Sequence, residues 1–220
     1  MPTANAKNKL IRLLLAALII LNITLTLIFN LPLFDLIVSI TGIIYVVILA
    51  ERSIFNFLAS LINVTLYIIL CYREKIYGEV IFYLLFDIPI TLIAFLSWRK
   101  VVKNDLTVPV KKLQPHLLAI MPFAVIIFAL IYGLFLRHIG GEHVYIDALS
   151  TGVTIVTTLL LWKRFREQWF GWIVVYIVST ILWISAGNLL MVTMSIGGLL
   201  FSIFGLTQWW HYSRENPNEK

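Results

Sequence analysis

The sequence predicts an all-α, polytopic membrane protein with about eight transmembrane helices. Apolar residues make up 60% of the 220 residues, charged residues make up only 13%, and the mean hydropathy is +0.94. A soluble domain is usually nearer half apolar and a quarter charged. The apolar residues also occur in runs long enough to cross a bilayer, which takes about 17–25 residues each.

Eight apolar runs are candidate spans, although the seventh is short and is expected to extend into its flanks. They are Leu10–Ile28, Leu33–Ala50, Ile54–Tyr72, Ile76–Trp98, Leu117–Leu136, Val144–Trp162, Trp169–Ile184 and Leu189–Trp210. Basic residues precede the first run, as they do in a signal peptide. No small-residue cleavage site follows it, and the run is too long for a signal sequence, so we interpret it as a true span.

The basic residues predict the orientation of these spans. With both termini in the cytoplasm, only Arg73, Lys75 and Arg137 of the 17 Lys and Arg residues fall on the far side. Because basic residues resist translocation, we expect a multi-pass protein of the cytoplasmic (inner) membrane with both termini cytoplasmic. The net charge of +6 then reflects topology and a weak attraction to anionic lipids of the bilayer, and no nucleic-acid partner is predicted.

A shift of the chain by 112 residues aligns its two halves. The aligned residues of charged or Trp type are Asp35 with Asp147, Arg52 with Arg164, and Trp98 with Trp210. Spans two to four therefore resemble spans six to eight, and the single span between them makes the two units parallel. This 3+1+3 plan is typical of transporters that bind their solute between the halves. Chance alignment of apolar spans of similar length is the alternative.

The repeat divides the chain into five segments. Residues 1–30 are an N-terminal transmembrane helix, and residues 31–100 are a first three-helix bundle. Residues 101–140 are a cytoplasmic loop followed by a linker transmembrane helix. Residues 141–212 are a second three-helix bundle, and residues 213–220 are a polar C-terminal tail.

Asp87 is the first candidate for a solute-binding residue because it lies near the middle of the fourth span. A charge at that depth costs about 3 kcal/mol on insertion scales, so Asp87 should face a protein interior. Pro89 cannot donate a backbone N–H, which predicts a kink that frees the carbonyl of Leu85. The carboxylate would offset the desolvation of a cationic aromatic ring. Alternatively, Asp87 is protonated and bonded to a neighbouring helix.

Other polar and aromatic residues lie near the middle of the spans. Asn63 and Tyr67 lie in span three, and Tyr83 lies one turn before Asp87. One face of span seven carries Tyr176, Ser179, Thr180 and Trp183. These side chains suit an aromatic solute with polar substituents, and they equally suit contacts between helices.

Residues near the ends of the spans lead to two further predictions. The Trp residues near the cytoplasmic ends predict an aromatic belt at the membrane interface. They are Trp98, Trp162, Trp169, Trp172, Trp209 and Trp210. Asp35 and Asp147, at the opposite ends, are expected to lie shallowly enough to reach water.

Several segments, in this order and spacing, resemble the PnuC-type vitamin transporters from about Phe34 to Trp210. The segments are Asn56, LINVTLY at 61–67, YGE at 77–79, DALST at 147–151, KR at 163–164, EQWFGW at 167–172 and FGLTQW at 204–209. The resemblance implies a fold similar to the sugar-transporting SWEET proteins, with two parallel three-helix bundles. It also implies facilitated diffusion of nicotinamide riboside, thiamine, riboflavin or a deoxynucleoside, and a homotrimer.

The resemblance adds Trp98 and Thr91 as candidate substrate-binding residues, and the sequence also departs from the family pattern at several positions. The fourth span keeps only the last Trp of the family's usual motif, Trp98. Thr91 stands where an amide residue is common, seven positions earlier. Tyr176 and Phe201 stand where the family usually has Asn.

The leading hypothesis is a facilitative transporter of a small vitamin-like aromatic solute, first of all nicotinamide riboside, working by alternating access between the two units. Thiamine or another vitamin or nucleoside stays open as the substrate. A substrate-capturing subunit of an energised vitamin importer is open as a different class. No cofactor, metal or catalytic site is predicted, because the sequence contains no GxxxxGK[ST], GxSxG or HExxH motif. The single cysteine, Cys71, excludes an internal disulfide.

Overall fold

The computed structural model describes residues 4–216, and within that range it contains eight helices that are long and apolar enough to cross a membrane. They are α1 (Ala4–Phe29), α2 (Leu33–Ala50), α3 (Asn56–Arg73), α4 (Tyr77–Arg99), α5 (Pro115–His138), α6 (Val144–Trp162), α7 (Gln168–Ser185) and α8 (Leu189–Glu215). The predicted all-α membrane fold is confirmed. Helix α8 runs past Trp210 into the predicted polar tail, and residues 217–220 of that tail lie outside the described residues.

The two sets of three helices begin at matching positions. Helices α3 and α7 begin 112 residues apart, as do α4 and α8, and α2 and α6 begin one residue from this register. Left-handed backbone recurs in the same register. The pairs are Arg52 (φ 60°) with Arg164 (φ 64°), and Lys75 (φ 55°) with Gly187 (φ 73°). The parallel orientation of the two units stays a prediction.

Six of the helices form a closed ring in the order α2, α3, α4, α6, α7, α8 and back to α2. The first helix of each unit therefore packs on the third helix of the other unit: α2 on α8, and α6 on α4. Helix α5 packs outside the ring on α6, and α1 packs outside it on α2 and α8. The two units are thus interlocked, and the space inside the ring belongs to both.

Helix α1 is held to both units by one buried side chain. Asn22 is fully buried, and its Oδ1 accepts hydrogen bonds from Ser39 Oγ of α2 at 2.9 Å and from Thr193 Oγ1 of α8 at 2.7 Å. Its Nδ2 donates to the carbonyl of Leu18 within α1. An amide in hydrocarbon must find such partners, so Asn22 fixes the place of α1 against the ring.

Helix α4 is interrupted at its centre by a π-helical turn, Tyr83–Asp87, in which the backbone N–H of Ile88 donates to the carbonyl of Tyr83. Pro89 lacks the N–H that would bond to Leu85, and its ring would crowd that carbonyl in a regular α-helix. The wider turn relieves both problems. The sequence predicted a kink here, and the structure shows a π turn.

The two aspartates near the helix ends are buried, so the expectation that they reach water is wrong. Asp147, 1% exposed, accepts from the backbone N–H groups of Gly78 at 2.7 Å and Glu79 at 3.1 Å, and so caps α4. Asp35, 4% exposed, accepts from Asn188 at 2.7 Å. The first N–H groups of a helix lack intrahelical partners, which is why they draw a carboxylate inward. We call this end of the ring the aspartate end.

The segment between α4 and α5 crosses the opposite end of the ring, which we call the linker end. The N–H of Ile54 donates to the carbonyl of Leu106 at 3.0 Å, and the N–H of Lys111 donates to the carbonyl of Arg164 at 2.9 Å. Val108 and Val110 between these contacts are buried. The linker is therefore bonded to the α2–α3 turn of one unit and to the α6–α7 turn of the other.

Candidate functional site

A small cavity of about 60 Å³ lies inside the ring, lined by residues of α2, α3, α4, α7 and α8. Five of the predicted site residues line it: Asn63, Tyr67, Tyr83, Asp87 and Tyr176. They come from the consecutive helices α3 and α4 and from α7, which is distant in sequence, and the closed ring brings them together.

Three further predicted residues do not line the cavity. Thr91 is buried one turn beyond Asp87 on α4. Trp183 is fully buried, and its Nε1 donates to the Tyr67 hydroxyl at 3.1 Å, so it holds a cavity residue from behind. Trp98 lies near the linker end, where its Nε1 donates to the carbonyl of Trp162 at 3.2 Å.

Asp87 is buried, with 7% of its surface exposed, and it ends the π turn of α4. Its Oδ1 accepts from Thr158 Oγ1 of α6 at 3.4 Å. Among the described residues, no Lys, Arg or His forms an ion pair with it. A buried carboxylate without a cation is costly, and such a residue inside a membrane protein is by default a candidate for function.

Asn63 is committed in part to the packing of the helices. Its Nδ2 donates to the carbonyl of Val38 and to Thr41 Oγ1 of α2, each at 3.0 Å. Its amide oxygen forms no hydrogen bond with the described residues. Asn63 therefore joins α3 to α2 with one end and keeps an acceptor available beside the cavity.

Aromatic rings form much of the cavity wall. The Tyr67 and Tyr83 ring centres are 5.4 Å apart at 83°, in an edge-to-face contact. Trp172 meets Tyr45 edge-on at 6.3 Å and lies 6.1 Å from Tyr176 at 30°. Such walls offer flat faces and edges to an aromatic solute, and the faces attract a cation.

Sequence reasoning missed Tyr45, Ser60 and Trp172, which also line the cavity. Tyr45 lies in a nearly uniform apolar run, and Trp172 was assigned to an aromatic belt. Helix spacing could have found two of them, because Ser60 lies three residues before Asn63 and Trp172 lies four residues before Tyr176, on the same helix faces. The 112-residue register also places the lining residues of α3 on those of α7: Ser60 on Trp172, Asn63 on Val175, Val64 on Tyr176 and Tyr67 on Ser179.

The aromatic belt is wrong for most of its predicted members. Trp98, Trp169 and Trp209 are fully buried, and Trp172 is 8% exposed. The ring centres of Trp169 and Trp209 are 5.9 Å apart, and Trp209 lies 6.3 Å from Trp98. These Trp side chains pack inside the closed ring of helices near the linker end, because they lie on the inward faces of α4, α7 and α8. Residue type alone does not reveal which face of a helix points inward.

The cavity is narrow compared with the roughly 300–1,000 Å³ of typical small-molecule sites. Side chains that can change rotamer close it. Met194 Sδ lies close to the backbone of Gly42, and the Tyr176 ring lies against Gly198. A solute with an aromatic ring therefore enters only when these side chains or the helices that carry them move.

Comparison with known proteins identifies the family. The model of the nicotinamide mononucleotide transporter family matches residues 32–211. The chain belongs to the nicotinamide mononucleotide transporter family. The matched residues begin after α1 and comprise the ring of helices together with the linker and α5.

Relatives within this family are similar over most of their length. The chain is 31% identical over 182 residues to the nicotinamide riboside transporter PnuC of Neisseria mucosa, covering 78% of this chain and 69% of that protein. It is 26% identical over 174 residues to the PnuC of Haemophilus influenzae, covering 78% and 76%. The crystal structure of a vitamin B3 transporter PnuC matches with a TM-score of 0.81 and 27% identity, over 94% of this chain and 92% of that one. The chain is thus a multi-pass membrane transporter, and the resemblance to the PnuC family is confirmed.

Proposed function

We propose that the chain carries nicotinamide riboside, or a closely similar vitamin-like aromatic solute, across the cytoplasmic membrane by facilitated diffusion. The observation that carries the proposal is the cavity shared by the two units, where aromatic rings surround a buried carboxylate. Two relatives of this chain are named nicotinamide riboside transporters. The mechanism is alternating access: the two units move against each other, so that the cavity opens first to one side of the membrane and then to the other.

The chemistry of the cavity fits this solute. Nicotinamide riboside carries a fixed positive charge on an aromatic ring, and leaving water costs that charge its hydration. Asp87 offsets this cost, and the Tyr and Trp rings stack on the flat solute. The free amide oxygen of Asn63 is an acceptor for a ribose hydroxyl or the carboxamide N–H.

The basic residues support an orientation for this transport. Most Lys and Arg residues belong to the linker end and the termini, so we place these in the cytoplasm and the aspartate end outside. Assembly as a homotrimer in the bilayer is part of the proposal and rests on the family resemblance.

Flux through the purified protein tests the proposal. Liposomes containing only this chain should accumulate labelled nicotinamide riboside until the inside and outside concentrations are equal, and no ion gradient should raise that level. Binding without flux would contradict a transporter and favour a substrate-capturing subunit. Accumulation above equilibrium that depends on an ion gradient would contradict facilitated diffusion.

Ligand-dependent thermal unfolding tests the choice of solute. Stabilisation grows with ligand concentration relative to the dissociation constant, so nicotinamide riboside, thiamine, riboflavin and neutral nucleosides can be ranked in one titration series. We expect nicotinamide riboside to give the largest shift in Tm. A larger shift with thiamine or a nucleoside would reassign the substrate and leave the transport mechanism in place.

A further inference from the structure

Arg164, in the turn between α6 and α7, is buried and its guanidinium is not satisfied by the protein. It is 7% exposed, and its Nη1 has no hydrogen-bond partner. Within residues 4–216, five buried side-chain atoms lack a partner, and Nη1 of Arg164 is the only one that belongs to a charged group. A buried charge normally has a partner because its desolvation is costly.

The counterpart of Arg164 in the first unit shows how the protein satisfies an arginine at this place. Arg52 has the same left-handed backbone, with φ of 60° against 64°. Its Nη1 donates to the carbonyl of Val108 at 3.3 Å, and its guanidinium carbon lies 3.6 Å from the centre of the Tyr212 ring. Both groups come from the protein itself, whereas Arg164 has neither kind of contact with the described residues.

Two lysines lie beside Arg164. The linker residue Lys111 donates its N–H to the carbonyl of Arg164 at 2.9 Å, and Lys163 precedes Arg164 in the turn. The pKa of the Lys111 ammonium is lowered by burial and then by the positive charges of Arg164 and Lys163. Burial also lowers the pKa of Arg164. The Lys163 ammonium is held beside this turn, because its Nζ lies 3.9 Å from the centre of the Trp162 ring.

No carboxylate of the described residues forms an ion pair with these three cations. The acid next along the chain, Glu167, is already engaged. It accepts from Arg166 Nε at 3.1 Å and from the N–H of Leu113 at 2.9 Å. The site thus has an excess of positive charge and at least one buried donor that the chain itself leaves unpaired.

We propose that Arg164, Lys111 and Lys163 bind a phosphate group, supplied by an anionic lipid headgroup or by a soluble phosphate compound. An arginine fork with two lysines is a set of side chains suited to a phosphate. The bound group would tie the linker to the second unit, because Lys111 belongs to one and Arg164 to the other. The proposal is independent of the solute that the central cavity carries.

Thermal unfolding in an uncharged detergent tests the soluble form. Inorganic pyrophosphate is titrated at constant ionic strength, with sodium chloride making up the balance. We expect Tm to rise by about 3–5 °C for each tenfold increase in pyrophosphate above its dissociation constant. Arg164→Gln should abolish the rise. Lys112→Gln is the matched control, because it removes the same charge from an exposed neighbour and should keep the rise.

The lipid form is tested in the same assay with phosphatidylglycerol against phosphatidylcholine. A rise in Tm with phosphatidylglycerol alone, lost in Arg164→Gln, would assign the phosphate to a lipid headgroup. If Arg164→Gln does not fold, Lys111→Gln takes its place with the same expected loss. The proposal is overturned if neither anion stabilises the wild type, or if the site variants and Lys112→Gln respond equally.

Discussion

Asp87 has no cationic partner among the described residues, so its carboxylate is available to pair with a positively charged solute. Hydrogen bonds to charged groups contribute about 1.5–3 kcal/mol. We therefore expect Asp87→Asn to raise the dissociation constant for nicotinamide riboside about 10- to 100-fold. Calorimetric titration of the purified protein measures this change.

A neutral aromatic nucleoside distinguishes the effect of charge from that of shape. Asp87→Asn should change the affinity for this nucleoside less than the affinity for nicotinamide riboside. Asp105→Asn is the control variant, because Asp105 is exposed in the linker and its carboxylate accepts hydrogen bonds from Thr107. Equal affinity of Asp87→Asn and wild type for nicotinamide riboside would remove Asp87 from the binding site.

Gly78 is required by a close contact with the carboxylate that caps α4. A Cβ at this position would overlap the carboxylate of Asp147, which is buried and bonded to the N–H groups of Gly78 and Glu79. Overpacking at such a site costs about 1–3 kcal/mol. We expect Gly78→Ala to lower the free energy of unfolding by that amount, measured by denaturant titration in detergent.

Gly197→Ala is the matched control for Gly78→Ala, since both change a helical glycine to alanine. The added methyl group at 197 meets the terminal Cδ1 of Leu18 at 3.0 Å, and that flexible side chain can move aside. Equal loss of stability in the two variants would show that the cap does not fix the position of α4.

At the scale of one helix, the π turn of α4 sets the direction of Asp87. In Pro89→Ala the N–H returns and the ring clash with the preceding turn disappears, so a regular α-helix becomes possible. Loss of the extra residue of the π turn rotates one half of α4 against the other by about 100°. We expect Tm to rise and the uptake of nicotinamide riboside by liposomes to fall at least about tenfold.

Ile90→Ala is the comparison for Pro89→Ala, because it shortens the next side chain and leaves the backbone donors unchanged. It should lower Tm and retain transport. Full uptake by Pro89→Ala, together with an increased Tm, would mean that the π turn has no part in placing Asp87.

The spans could be predicted from the sequence because a run of apolar residues is a strong signal in a membrane protein. All eight predicted runs fall within or overlap the observed helices. The π turn could not be predicted from the sequence, because Pro89 indicates only that the regular backbone hydrogen bonding of the α-helix is interrupted. The inward faces were also hidden: Trp209 and Asp147 are buried because of contacts with helices far away in sequence.

The candidate site was predictable where polarity contrasts with hydrocarbon, as for Asp87 and Asn63. It was not predictable where the residue type is common in any span, as for Tyr45. Trp183 and Thr91 were chosen from the correct helices, but they stand behind or beyond the cavity wall. The register of the repeat carries more information about the lining than any single motif does.

At the scale of the whole molecule, Glu167 joins the linker to the second unit. It is buried, and it accepts from Arg166 Nε at 3.1 Å and from the N–H of Leu113 at 2.9 Å. Removal of one partner of a buried ion pair costs about 3–5 kcal/mol because the other charge is left unpaired. We expect Glu167→Ala to lower the free energy of unfolding by that amount, measured by denaturant titration.

Glu215→Ala is the control for Glu167→Ala, because it also removes a paired carboxylate. Its partner is His211 at 3.1 Å, and the Glu215 side chain is 61% exposed, so the expected change is within about 0.5 kcal/mol. Similar small changes in both variants would contradict a structural role for the linker contact.

The exchange of neighbours in the ring, α2 on α8 and α6 on α4, bears on how such a chain could originate. A polypeptide of only three helices would leave its first and third helices each without the neighbour it has here. Such a polypeptide would complete the ring by pairing with a second copy of itself. The contacts of the ring are therefore those that two separate three-helix chains would make, with the linker and α5 as the segment that joins them here.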